Sequence, residues 1–435
     1  MRLQLVRCAT LVATFVCFFI QQALAQPATG ALPDLTGDTL EVPIGPSKKE
    51  PDPIAIPDLR CNTAGELCAM AADVLRNDLL ISGFFKILKP QSFIGDAQAE
   101  PLESPKWADW FNVNAKYLIK GELSSAPGGL SIEFRLFNVF DKQMYTVKAQ
   151  SAKGIAKDAV RGKVHEFANA VIEAITGKPG VFGTQIVYSA KTGEWTRSVF
   201  VMDMDGHNAG AVISNDRVNS LPSMAMGGIL YTSQADNEDP QLWIGSRKLT
   251  DGPNKFRGAD MGPNGTIAAS VDTGGGSDIW LMDKSGKLIR NLTGGQGDNV
   301  SPRWSPDGSM IAFVSNRSGG PQIYVMGADG SGQRRLTMAG SYNSTPDFGP
   351  DGLIVFAGLD EGTSDIFTVD LSGNIQRLTQ GQGTNKDPTW SPDGRWIAFV
   401  SSRDGGRIFI MTADGRYQFP VSQRPCSCAT PRWSN

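Results

Sequence analysis

Two histidines, His165 and His207, are the only imidazoles in this chain of 435 residues, and that count narrows the chemistry it can perform. Acyl transfer by a Ser-His-Asp set needs a histidine base and a serine presented on a sharp turn, and no Gly-x-Ser-x-Gly elbow occurs. His165 falls on a helical stretch beside an apolar stripe, where a histidine packs rather than reacts. His207 closes Asp203-Met204-Asp205-Gly206-His207, which reads as a hairpin turn. The acidic turns at 203–206, 328–330 and 413–415 lack the twelve-residue ligand spacing of a calcium loop. Gly274-Gly275-Gly276 precedes no helix that could cradle a phosphate. The expectation is a chain with no catalytic residue, no metal and no cofactor.

Residues 1–25 have the form of a secretory leader: Arg2 and Arg7, the apolar run Leu11 to Ile20, and the small residues of Ala23-Leu24-Ala25. No other stretch approaches the length needed to cross a bilayer, so direct membrane insertion is not expected. The chain carries a net charge of −3, which argues against nucleic acid as a partner. Beyond the leader the cysteines are Cys61, Cys68, Cys426 and Cys428, an even number suited to structural disulfides in an oxidising compartment. Cys61 and Cys68 flank a helix start and could pair. A direct bridge within Cys426-Ser427-Cys428 is sterically tight. A zinc site made of all four lacks a neighbouring histidine.

Residues 26–53 are rich in Pro, Gly and Asp and read as a flexible arm with one short strand at Leu40-Glu41-Val42. Residues 54–180 read as a small α/β domain. The three- and four-residue spacing of Leu67, Met70, Ala71, Val74, Leu75 and Leu79 predicts a helix over 64–80. A second stripe, Val160, Val164, Phe167, Val171 and Ile175, predicts another over 154–175, stopped by Gly177 and Pro179. A short helix is expected at Trp107 to Phe111. Strands are expected at 54–56, 84–88, 117–119, 130–140 and 144–149.

From Thr184 onward the pattern is strands alone, in six repeats of the form PxWSPDGxxIAFVS. Equivalent glycines Gly265, Gly308, Gly352 and Gly394 recur at steps of 43, 44 and 42 residues. Such a period of short alternating strands and turns predicts a six-bladed β-propeller over 181–435. Trp304, Trp390 and Trp433, with Phe348 at the matching place, are expected to wedge between blades. The repeats begin with a second strand and end with an orphan innermost one at 429–434. The last residues should therefore complete the first blade and remove an open edge. The fold class is thus a small N-terminal α/β domain followed by a C-terminal propeller.

Function is expected at the propeller mouth, in the irregular segments that lead into each innermost strand. The candidate partner-binding residues there are Asn219, Lys255, Phe256, Arg257, Asp298, Asn299, Val300, Tyr342, Asn343, Asn385, Lys386 and Ala429. Asn is also a common turn former, so part of its recurrence is structural.

Leader, α/β domain and six WSPDG blades in this order resemble the TolB family of the Tol–Pal system. So do Leu40-Glu41-Val42 followed by Pro53-Ile54-Ala55-Ile56-Pro57, and Ser82-Gly83-Phe84-Phe85-Lys86. Thr176-Gly177 leading through Gly180-Val181-Phe182, with His165 twelve residues before Gly177, completes the likeness. The resemblance implies a non-enzymatic periplasmic scaffold. Its mouth would bind the peptidoglycan-associated lipoprotein Pal, and its arm, with Leu40, Glu41 and Val42, would engage TolA. It would support outer-membrane integrity and invagination during division. Lys255 and Val300 stand where the family often has His and Thr. The competing expectation is an exported propeller holding a sugar or peptide in its channel.

Overall fold

The computed structural model describes residues 50–63, 65–360 and 362–434; the expected leader and the Leu40-Val42 strand lie outside them. The α/β domain is built on strands β1 (Asp52–Ala55), β2 (Arg60–Asn62), β3 (Phe85–Ile87), β4 (Tyr117–Ala126), β5 (Gly129–Asn138), β6 (Gln143–Tyr145) and β7 (Ser151–Ile155). Their order is β3-β1-β4-β5-β6, with β2 beside β4 and β7 beside β5. Helices α1 (Gly65–Ile81) and α3 (Val160–Thr176) cover one face of this sheet, and α2 (Trp107–Asn112) lies between β3 and β4 in sequence. The stripes that predicted α1 and α3 are the residues they bury, Ala71, Val74, Leu75 and Leu79 on α1 and Val160, Val164, Phe167 and Val171 on α3. Burial of each such side chain contributes about 1.5–3 kcal/mol. A separate cluster of Trp110, Ala115, Leu118, Phe137 and Val139 forms a second small core in this domain.

Several expected boundaries differ. The second helix starts at Val160, not at Gly154: residues 151–155 find a strand partner in β5, and Gly154 sits at φ +67°. The strand expected over 144–149 is confined to Gln143–Tyr145, because Ala149 turns to φ +55° and the edge is shared between β6 and β7. The hairpin at 127–129 is as predicted from its glycines, and the strand before it runs to Ala126 rather than ending at Ile119.

Beyond Gln185 the strands form six four-stranded blades, the first two joined by a single parallel bridge between Val218 and Arg197. The first blade is completed by Cys428–Trp433, antiparallel to Gln185–Lys191 with Ala429 opposite Ser189 and Trp433 opposite Ile186. Ser434 N–H donates to Gln185 O, and Gln185 N–H donates to Ser434 Oγ. Trp304 is buried among Ala268 and Ile279 of one blade and Ile311 and Phe313 of the next. Phe348 and Trp390 fill the following clefts in the same way.

The outer Leu-Thr of the second to fifth blades has a defined task. The Thr250, Thr293, Thr337 and Thr379 hydroxyls each accept a backbone N–H from the third strand of their own blade. They also donate to its Gln241, Asp278, Gln322 or Asp365. These bonds fasten a very short outer strand that has few ladder bonds of its own.

Candidate functional site at the propeller mouth

Each innermost strand carries a register shift at the same place: between Ser220 and Ser223, Phe256 and Ala259, Val300 and Arg303, Ser344 and Asp347, Lys386 and Thr389, and Ala429 and Arg432. The residue inside each bulge is left-handed: Leu221, Gly258, Ser301, Thr345, Asp387 and Thr430. In five of the six a proline follows it. Proline has no N–H to give a ladder, so the bulge places it where no such bond is required. That x-Pro dipeptide was the sequence signal for the bulge.

Just before the bulge stand the recurrent asparagines, and they face inward. Asn219, Asn299 and Asn385 are fully buried and Asn343 nearly so. The Asn299 amide donates to Gly297 O and Gln296 O and accepts from Arg317 Nη2. Asn219 bonds Arg197 O and Asn215; Asn343 bonds Ala339 O and Gln322; Asn385 bonds Gly383 O and Asp365. Phe256 occupies the equivalent position in its blade and is buried in the core. These five residues shape the mouth loops from within. Asn299→Ala strands several of these groups and is expected to cost ~2 kcal/mol, read as a lower urea midpoint at unchanged slope.

The other candidates lie at the surface of the same ring. Lys255 pairs with Asp239 at 3.3 Å and Arg257 with Asp272 at 2.8 Å. Asp298 accepts the Ser277 N–H, while Val300, Lys386 and Ala429 are half-buried. Tyr342 is half-buried too, and burial raises its phenol above the ordinary value. Two residues that periodicity could not flag join them. Trp195, 76 % exposed, tips the hairpin whose base strands meet Ser427, and Met338, 71 % exposed, lies in the loop entering the fifth blade. Cys426 and Cys428 form a disulfide in the loop entering the closing strand, and Cys61–Cys68 forms one at the start of α1.

Below the bulges a belt of charge crosses the channel. Arg303 meets Asp260 at 3.3 Å, and Arg432, from a blade not adjacent to that of Asp347, meets Asp347 at 3.2 Å. Only side chains aimed at the axis can bridge in this way. Burial pushes Arg432 down to about 10, still charged at neutral pH.

The α/β domain packs on the opposite end of the disc. Trp396 Nε1 donates to Ile81 O at 3.1 Å, Arg395 donates to Lys178 O at 2.8 Å, and Arg161 pairs with Asp205. Arg395 and Asp205 sit on strand-joining turns and Trp396 opens the strand after one, all remote from the mouth loops. One buried cluster unites α1 and α3 with Ile186, Met202, Trp396 and Ile410 of the first and last blades. Among the described residues none covers the mouth. At the junction, Asp78, His165 and Asp205 lie close enough to consider for a metal ion, but the Arg161 guanidinium already supplies the positive charge there.

Comparison with known proteins matches residues 172–435 to the TolB beta propeller domain and residues 40–145 to the TolB amino-terminal domain. The Tol-Pal system protein TolB of Anaeromyxobacter dehalogenans (strain 2CP-C) is 38% identical over 293 residues, 65% of this chain and 66% of that protein. That of Desulfosudis oleivorans is 31% identical over 257 residues, 55% of this chain and 57% of that one. The chain therefore spans 66% and 57% of the length of these two relatives, less than two thirds of either. The crystal structure of TolB from Acinetobacter baumannii superposes with a TM-score of 0.75 over 91% of this chain and 98% of that one, at 22% identity, a likeness of fold. With its propeller profile covering more than half of the sequence, the chain belongs to the TolB family.

Proposed function

We propose that this protein is a non-enzymatic periplasmic scaffold of a Tol–Pal system. Its mouth binds a Pal-like peptidoglycan-associated lipoprotein, and its N-terminal arm, including Leu40, Glu41 and Val42, engages a TolA-like inner-membrane protein. The two events together support outer-membrane integrity and constriction at division. The observation that carries the reading is a mouth that the described residues leave uncovered: the α/β domain occupies the far end of the disc, and the near end carries Lys255, Arg257, Lys386, Trp195 and Met338 on loops braced by buried asparagines. A rigid rim with the exposed Trp195 and Met338 beside half-buried cationic side chains suits a protein partner. The channel-crossing belt of Asp260, Arg303, Asp347 and Arg432 leaves a sugar or peptide ligand less room in the channel, which weighs against the small-ligand reading.

The test is capture of Pal from envelope extract by purified protein. Trp195→Ala and Lys255→Glu touch no core contact and are expected to weaken capture at least tenfold with unchanged melting. Removing residues 26–49 is expected to abolish TolA capture alone. Unaltered Pal capture by both mouth variants would refute the mouth as the site.

A further inference from the structure

The junction between the domains holds a buried charge cluster remote from the mouth. His165 Nδ1 lies 2.7 Å from Asp78 Oδ2, and its Nε2 faces Asp205 Oδ2 at 3.8 Å. Arg161, one turn earlier on α3, pairs with the same Asp205 oxygen. The carboxylates come from different domains: Asp78 from α1, Asp205 from the turn between the third and outer strands of the first blade. Both carboxylate side chains are fully buried, and His165 is 5 % exposed. Asp78 Oδ1, His165 Nε2 and Arg161 Nε have no hydrogen-bond partner among the described residues. A buried constellation kept partly unsatisfied is costly, and such costs accumulate where a group must change state.

We propose that His165, Asp78, Asp205 and Arg161 form a proton-controlled latch that fixes the α/β domain on the first blade. With His165 protonated, two cations on α3 face one carboxylate from each domain and the cluster is neutral. Without that proton, Asp78 and Asp205 face each other across Arg161 alone, and one buried negative charge is left uncompensated. The other charges near the junction do not change this balance. On α3, Glu166 is engaged by Lys163 at the rim. On the turn, Asp203 accepts from Asn208 and Gln185. His207 is held below the ordinary imidazole value by burial and then by Arg161, so it is neutral when His165 titrates. A cavity of about 440 Å³, bounded by Gly162, His165, Asn169 and the connecting segment Gly180–Thr184, gives water a place to enter when the latch opens.

Burial alone would lower the His165 value, but the hydrogen bond and charge of Asp78, then the charge of Asp205, outweigh it and hold it above the ordinary 6.5. Burial raises Asp78 from 3.8 to about 6 against the opposing pull of His165. Asp78 shares a domain with His165 and stays beside it when the latch opens, so the Asp205 charge is what makes His165 bind its proton more tightly in the seated than in the open state. That contribution is complete below the open-state value and is lost as pH rises through the raised one. Seating should weaken as pH rises through the His165 midpoint.

With only two histidines in the sequence, the full chain allows a clean NMR titration, His207→Gln assigning the pair. His165 is expected to titrate above 6.5, and Asp78→Asn or Asp205→Asn should lower its midpoint. Each unit by which Asp205→Asn lowers that midpoint corresponds to a tenfold change in the seating equilibrium between the pH limits. Amide exchange at 81–83 and 176–178, corrected for intrinsic pH dependence, should follow that midpoint in the wild type. It should lose the dependence in His165→Gln while propeller-core amides stay protected. If His165→Gln does not fold, Asp205→Asn carries the same comparison. A midpoint at or below 6.5, junction amides indifferent to it, or stoichiometric zinc binding that abolishes the titration would each overturn the latch.

Discussion

Deleting residues 429–435 is expected to replace one cooperative unfolding transition with a broad, low-temperature loss of structure. A propeller of six blades has no free edge only because its last strand pairs with the second strand of its first blade. Here that strand supplies the ladder from Cys428 opposite Ala190 to Trp433 opposite Ile186, and the reciprocal bonds of Ser434 with Gln185. It also supplies Trp433, whose indole N–H donates to Thr184 Oγ1 at 2.7 Å and whose ring lies in the core shared with the α/β domain. Arg432 leaves with it, and Asp347 then loses its shorter guanidinium contact in the channel belt. Trp433→Ala alone should cost about 3–5 kcal/mol. Calorimetry distinguishes the outcomes: a truncated chain melting in a single transition at the wild-type temperature would mean that the ring does not depend on its closure.

The repeat made the blades, their wedging tryptophans and the closing strand legible, because those features recur at a fixed interval and each copy reinforces the others. What it could not convey is direction. Asn219, Asn299, Asn343 and Asn385 repeat as faithfully as any binding ring would, yet their amides turn inward to hold the loops, and one residue type serves both purposes. Trp195 and Met338 occur once each, so no period marks them. The junction cluster was hidden for another reason. Asp78 and His165 are 87 residues apart, and Asp205 belongs to a different domain, so only the packing of α1 and α3 against the first blade brings the three together. His165 read as a packed helix residue, which it is. Its charged partners were invisible.

Gly206→Ala is expected to be as damaging as the loss of a core aromatic, although it adds a single carbon. Gly206 sits at φ +84° in the turn after Asp203, a conformation that an L side chain rarely adopts. A Cβ there would lie 1.6 Å from Val421 O, in the backbone of the last blade's outer end, far inside any tolerable contact. Neither the turn nor the carbonyl can retreat cheaply, since Val421 N–H donates to Ile408 O and the turn is closed by Gly206 N–H to Asp203 O. The substitution must therefore push the first blade from the sixth, beside the seam sealed by the closing strand, at a cost of ~4 kcal/mol or more. Because Asp205 is the adjoining residue, the same displacement should pull it from Arg161 and His165. The variant is thus expected to show a lowered denaturant midpoint together with faster amide exchange at 176–178. Gly245→Ala is the matched control: it too is left-handed, at φ +55°, but a Cβ there meets nothing within 4 Å. Its cost should stay near 1 kcal/mol, the penalty of backbone conformation alone. Equal losses in the two variants would show that the contact with Val421, and the wedge between the first and last blades that it represents, does not govern stability.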